Sequence, residues 1–573
     1  MRGSGRRDLI SPGGIVNERV RARRRLSSWF GIVMMAVLAG GCTETAVDLV
    51  LVGGDVWTGD GDQPWATGIA VTEGAIVAVD AEDVIRGMIG AETRVIELDG
   101  RFAMPGFIDT HTHFVDGGFR LSAVDLRDAD SPEEFARRLA EYAGGLEAGE
   151  WILGGDWDHE MWGGELPDRS WIDEVTPDNP VFVTRLDWHM ALANTRAMQV
   201  AGLSPEVRSP AGGEVVRDGT GRLTGVFKDE AMPLVGAHIP RPSDAQRDSA
   251  LIAAMRHAAS LGLTGVTDMG SWADLETYER AHAAGDLTLR VNAYVPLSTV
   301  DRLVERVEKA GNGDEWLRIG GLKGFVDGSL GSGTALFEEP YSDEPDNFGL
   351  FVTPLEDLRR QVVKAEQAGM QVAIHAIGDR AIRVLLDLYQ DLEGEFGARD
   401  RRYRIEHAQH VRPADVDRFA RLGVVAAMQP YHALDDGRWA ERRIGEQRAR
   451  LTYAFRSLLD SEAVVAFGSD WTVAPLDPVL GLYAAVTRRT LDGANPEGWV
   501  PEQKIDVESA LRAYTASAAR ASFTDERTGT LSPGRLADIV VLNGNPFEVE
   551  PERLLDLEVD LTIVGGREVY SRP

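Results

Sequence analysis

Only one cysteine, Cys42, occurs in 573 residues. A chain with a single thiol cannot form an internal disulfide, and no second cysteine remains to act as a nucleophile away from the N-terminus. Basic residues are also scarce. Sixty Lys and Arg stand against 91 Asp and Glu, a formal charge of −31, which argues against nucleic acid, since that partner demands basic grooves. Long apolar runs are absent too. The longest, WFGIVMMAVLAGG at 29–41, is thirteen residues and falls short of the ~20 that a spanning helix needs. Three further motifs are missing: a G-x-G-x-x-G after a strand for dinucleotides, a G-x-x-x-x-G-K-[ST] for phosphates, and a G-x-S-x-G elbow for a serine nucleophile.

What is present at the N-terminus is a basic segment followed by that short apolar run. Residues 1–41 hold eight arginines against Asp8 and Glu18, so the remainder of the chain is more acidic than the whole. A charged start, a short apolar stretch and small residues read as a signal peptide over 1–42. The ending LAGGC resembles a bacterial lipobox, which makes Cys42 the expected lipidation site. The protein is therefore expected to be exported and held at a membrane, periplasmic or cell-surface, by an N-terminal lipid. Its acidic surface otherwise serves solubility.

Residues 43–104 alternate apolar and polar positions between Gly and Asp turns, as in VDLVLVGGDVWTGD, and 521–573 has the same texture in GRLADIVVLNGNPF. This predicts one β-sandwich domain assembled from both ends of the chain. Between them lies the expected barrel, residues 105–520, marked by eight apolar runs of which the first starts at Ala103: AMPGFIDTHTH, TGVTDMG, LRVNAYV, LRIGGLKGFVDG, MQVAIHAIGD, YRIEHAQ, VVAAMQP and VVAFGSDW. Helical stretches separate most of them, and eight βα units imply an α/β TIM (β/α)8 barrel. The interval after the first run is far beyond a usual connecting loop. It is read as a subdomain inserted after barrel strand 1, at about 118–245. Its tryptophans read mostly as core, with Trp157 carried as a pocket candidate.

Four of eleven histidines, His111, His113, His375 and His407, fall at the C-terminal ends of these runs, as does Asp470. Catalytic groups of this barrel sit at that end. In DTHTH the two imidazoles leave one strand on the same side, so both reach a common point, and imidazole suits zinc and similar ions. Asp470 can serve there as ligand and proton carrier. His159, His238, His257, His282 and His432 read as structural, and His410 as pointing elsewhere. Lys323 is the anomaly. It sits in GLKGFVDG among apolar neighbours, where lysine is rarely buried unpaired. Read from the stretch alone, it is an ammonium paired to Asp327 or one that snorkels to the strand end.

PGFIDTHTHF, IHAIGD, EHAQ and GSDW together resemble the amidohydrolase superfamily. KGFVDGSLGSGTALFEEPY and DWHMALANTRAM resemble its third family, the YtcJ-like group related to N-substituted formamide deformylases. The similarity covers about residues 47–570. The resemblance implies two divalent metal ions, zinc first among them, bridged by a carbamylated Lys323. It assigns His111, His113 and Asp470 to one ion, and His375 and His407 to the other. It implies a hydrolase of C–N bonds in amides, formamides or N-acyl compounds, with Asp470 as proton carrier. His189 is read as a second catalytic group that binds the substrate carbonyl, and Tyr341 joins Trp157 as a substrate contact. Two alternatives stay open at this point. One is a lactonase, esterase or cyclic-amide hydrolase using the same site, and the other is a surface-anchored binding protein without turnover.

Overall fold

The computed structural model describes residues 47–186, 190–210, 213–229 and 231–573. Cys42 and His189 lie outside the described residues.

Eight parallel strands follow the eight apolar runs. They are β1 (Phe107–Thr112), β2 (Leu263–Met269), β3 (Arg290–Pro296), β4 (Leu317–Phe325), β5 (Gln371–Ala376), β6 (Arg404–His407), β7 (Val425–Met428) and β8 (Val464–Phe467). Each pairs with the next in chain order. Their residues are almost entirely buried, as expected of parallel strands covered on both faces. The result is a nearly closed (β/α)8 barrel.

Side chain and backbone both hold the seam between β8 and β1. The Asp109 carboxylate accepts the N–H groups of His111 and Ser469, each at 3.0 Å. The Asp470 N–H donates to the His111 carbonyl at 2.7 Å, and the His113 N–H to that of Trp471 at 2.6 Å. The last barrel connection is therefore made by the segment that carries Asp470.

Strands from both chain ends pair in one sheet, ordered 567–571, 559–564, 539–542, 102–105, 49–57, 65–72 and 75–80, with 94–97 beside 49–57. Phe102–Pro105 runs antiparallel to Ile539–Leu542. Alternation divides the faces. Phe102, Met104, Val540 and Leu542 join the barrel core, while Ala103, Ile539 and Val541 pack on the far side with Leu51 and Ile69. A strand of period two thus cements the sheet to the barrel.

Between β1 and β2 a third sheet of six strands runs from Val124 to Asp229. Its helix Pro132–Ala143 is capped by the Ser131 hydroxyl on the Glu134 N–H. Phe135 and Leu139 from this helix bury against Ile152, Trp157 and Val181.

Candidate metal centre

Six side chains converge at the C-terminal end of the barrel. His111 ends β1 and is 1% exposed. His113 begins the helix Phe114–Leu121. Lys323 stands on β4, His375 on β5 and His407 on β6, and Asp470 follows β8. The Asp470 Oδ1 lies 3.5 Å from His111 Nε2 and 3.4 Å from His113 Nε2. These three offer ligand atoms that all fall within 4.8 Å of one another. His407 stacks 4.9 Å from His111 and 4.5 Å from His375, ring centre to ring centre. His375 and His407 border the three-residue cluster and are outside its mutual reach.

Two of these residues hold backbones that side chains other than glycine rarely adopt. His407 has φ of +70° and Asp470 of +58°. Such strain persists only where the surroundings enforce it, and it collects at functional sites. Here it turns both side chains inward past the end of their strands.

Lys323 makes neither of its two expected solvent-directed contacts. It is 6% exposed. The Asp327 carboxylate is already engaged by the N–H groups of Leu336, Ile377 and Gly378 at 2.8–3.0 Å. No carboxylate lies within ion-pair distance of Lys323 among the described residues. Its Nζ instead sits 3.2 Å from His111 Nε2 and 5.1 Å from the centre of the Phe325 ring. Burial brings its pKa down to about 8, against the pull of Glu406 and Asp470.

Three of the four imidazoles are held toward the neutral form, whereas at His113 burial is outweighed by Asp470, which raises its pKa. Burial, together with Lys323, lowers His111 to about 4 and His375 to about 3, and burial drives His407 down as well. Burial opposes the charge of Asp470 too, but His111, His113 and His407 outweigh it and hold the carboxylate well below its usual range. Imidazole nitrogens around an ionised carboxylate form the donor set that a divalent cation takes, and a cation binding there would displace the proton from His113. The residues therefore fit a metal.

Behind His111 stands a support that the motif reading left out. The His111 Nδ1–H donates to Glu406 Oε2 at 2.6 Å, and Arg404 donates to both Glu406 oxygens at 2.7 and 3.0 Å. Arg404 also donates to the Thr110 carbonyl at 2.6 Å. All three side chains are buried. Burial would raise Glu406, but Arg404 and His111 hold it ionised, near 2. An ionised Glu406 keeps the proton on Nδ1, so the Nε2 lone pair faces the cluster. Gln429 Oε1 lies 2.8 Å from His407 Nδ1 and orients that ring in the same way. The signal was present in RIEH: residues two apart on a buried strand share a side, and buried charges must pair.

Two aromatic assignments are corrected. Trp157 is fully buried, donates its Nε1–H to the Val183 carbonyl at 2.9 Å and packs in the core of the inserted sheet. Tyr341 is 1% exposed, donates to the Ala335 carbonyl at 3.0 Å and rests edge-on against Phe337. Both side chains are thus packed and hydrogen-bonded within the protein. His410, as expected, points away and has its Nδ1 2.8 Å from the Thr452 hydroxyl.

A family model described as "Amidohydrolase family" matches residues 94–570. Protein LONG AFTER FAR-RED 3 of Arabidopsis thaliana is 40% identical over 536 residues, covering 91% of each chain. The putative amidohydrolase YtcJ of Bacillus subtilis is 32% identical over 91% of this chain and 99% of its own. The N-substituted formamide deformylase of Arthrobacter pascens is 28% identical over 92% and 98%. Among solved structures, an uncharacterized metal-dependent hydrolase from Pyrococcus horikoshii superposes with a TM-score of 0.74. It is 30% identical and covers 88% of this chain and 99% of its own.

Proposed function

Because this chain belongs to the amidohydrolase family, whose structural relatives include metal-dependent hydrolases, we propose that it hydrolyses a C–N bond in an amide, formamide or N-acyl compound. The observation that carries this reading is the convergence of His111, His113 and Asp470 with Lys323 Nζ at 3.2 Å from His111 Nε2. On this reading His111, His113 and Asp470 hold one divalent ion, His375 and His407 a second, and zinc is the first candidate for both. Such ions lower the pKa of water toward ~7 and polarise a carbonyl.

The chain's own residues then supply positioning and proton transfer. Glu406 keeps the His111 Nε2 free as a donor atom. The ionised Asp470 takes one proton from the attacking water as its oxygen bonds to the carbonyl carbon. The same carboxyl delivers that proton to the leaving nitrogen as the C–N bond breaks. Lys323 has the burial a carbamate needs. As a free amine its nitrogen adds to carbon dioxide and loses a proton, and the resulting anion offers two oxygens for bridging. We propose, too, that the chain is exported and lipidated at Cys42, on the strength of the LAGGC run alone. Among the described residues no helix is long and apolar enough to cross a membrane.

The test combines elemental analysis of purified protein with a panel of formamides, N-acyl amino acids and lactones, run on wild type and Lys323→Ala. Two ions per chain and amide turnover are expected of wild type, and both should fall in the variant. Turnover of lactones alone would overturn the C–N assignment. A Lys323→Ala protein with full metal content and rate would remove the lysine from the site.

A further inference from the structure

At the opposite end of the barrel from the histidines lies a cavity of about 280 Å³, just under the ~300 Å³ at which small-molecule sites begin. The N-terminal halves of β2, β3 and β4 form one wall and the segment 522–528 another. Two polar groups on this wall are unmatched. Asn292 is 6% exposed, and neither its Nδ2 nor its Oδ1 has a hydrogen-bond partner among the described residues. The buried Nε of Arg318 also has none. Orphaned buried polar atoms of this kind are few in folded proteins, and each calls for a physical reason.

Charge sharpens the picture. Two of the three arginines on the lining are ion-paired, Arg290 with Asp538 at 2.6 Å and Arg527 with Glu315 at 3.1 Å. The third, Arg318, has no carboxylate within ion-pair distance among the described residues, and its guanidinium lies 5.7 Å from the Phe523 ring centre. The remaining wall includes the apolar Val266, Val291 and Leu536.

We propose that this cavity is a second ligand site, built for a small monocarboxylate with an apolar body and an O–H or N–H beside the carboxyl. The carboxylate matches the guanidinium fork of Arg318, the one lining arginine without an ion pair among the described residues. The Asn292 amide then donates to the acid and accepts from the adjacent O–H or N–H. A dianion such as phosphate is disfavoured, because Asp314, Glu315 and Asp538 also face the space. Arg318 is the second residue of β4 and Lys323 the seventh. They stand roughly 17 Å apart along the strand at ~3.3 Å per residue, so the two sites are separate.

The test is titration calorimetry and thermal melting of the purified holoenzyme with four probes: mandelate, phenylacetate, benzyl alcohol and inorganic phosphate. Mandelate should bind best, phenylacetate more weakly for want of the hydroxyl, and benzyl alcohol and phosphate not detectably. Arg318→Met should weaken mandelate by about tenfold or more, the scale of a lost charge-assisted bond. It should not lower the melting temperature of the unliganded protein, because Arg318 has no ion pair to lose among the described residues and its buried Nε has no hydrogen-bond partner. Asn292→Leu should erase the preference for mandelate over phenylacetate. Asp470→Asn, altered only at the metal end, should bind mandelate as wild type does. The proposal is overturned if mandelate binding survives Arg318→Met, disappears in Asp470→Asn, or is matched by phosphate, or if no carboxylate binds. None of these readouts depends on turnover at the metal centre.

Discussion

Asp470 is asked to be both a ligand and a proton carrier, and one substitution separates the two duties. In Asp470→Asn the amide oxygen can still face His111 and His113, but the side chain no longer accepts and returns a proton. Turnover should fall by ~10²–10⁴-fold while the melting temperature stays near wild type; a rate within a few-fold of wild type at full metal content would exclude the role. Glu406 acts through His111. Glu406→Gln removes the charge that keeps the proton on Nδ1 and leaves Arg404 buried with a neutral partner. Metal affinity is expected to drop by ~10–100-fold, the range seen when such supports are lost, and a chelator titration followed by metal analysis measures it. Residues of this kind set the limit of what could be read beforehand. The histidines and Asp470 announced themselves by their place at strand ends. Trp157 and Tyr341 did not, because an aromatic fills a core or lines a pocket with the same apolar faces, and only packing tells which.

The helix Phe114–Leu121 is the element that aims His113. Gly117 and Gly118 allow its close approach: a β-carbon on Gly118 would stand 2.0 Å from the Ala250 carbonyl, and one on Gly117 2.3 Å from the Trp471 ring. Gly118→Ala must therefore push the helix away from its neighbour Asp244–Ser260. A loss of ~1–3 kcal/mol, typical of overpacking, should appear in denaturant unfolding, together with weaker metal retention through the displaced His113. An unchanged midpoint would mean the helix is not seated on that contact. Elements were also where the sequence spoke most clearly. All eight barrel strands match the apolar runs to within one residue, because parallel strands covered on both faces need continuous apolar stretches. The one merged reading was AMPGFIDTHTH, which joins two strands. Phe102–Pro105 belongs to the terminal sheet and Phe107–Thr112 to the barrel. Gly106 makes the break where the chain passes so close to Thr264 that a β-carbon would stand 2.1 Å from it. That proximity comes from a residue 158 positions away, and local pattern carries no trace of it.

Across the whole molecule, acid is the condition most suited to exposing its electrostatic design. Burial works against the charge of Glu366, but Arg401, Tyr403 and Arg399 overcome it and hold the carboxylate below its ordinary value of 4.5. The unfolded chain takes up a proton at this group first as pH falls. The stabilisation is thus complete above ~4.5 and is lost as pH drops through the lower folded value. Melting temperature should decline with acid in that window, and Glu366→Gln should start lower at neutral pH and show a shallower decline. Parallel slopes for the two proteins would exclude Glu366 as a contributor.

The pairing of Phe102–Pro105 with Ile539–Leu542 also imposes a timetable on synthesis. The earlier strand leaves the ribosome with one edge unmade, and its partner follows more than 400 residues later. At ordinary elongation rates that is a wait of roughly 20 to 90 seconds. During this wait the apolar side chains of Phe102 and Met104 have only part of their packing, and an open edge of this kind invites pairing with another nascent chain. A holdase that binds extended apolar segments would be needed through that interval, and translation speed near the C-terminus would govern the yield of folded protein.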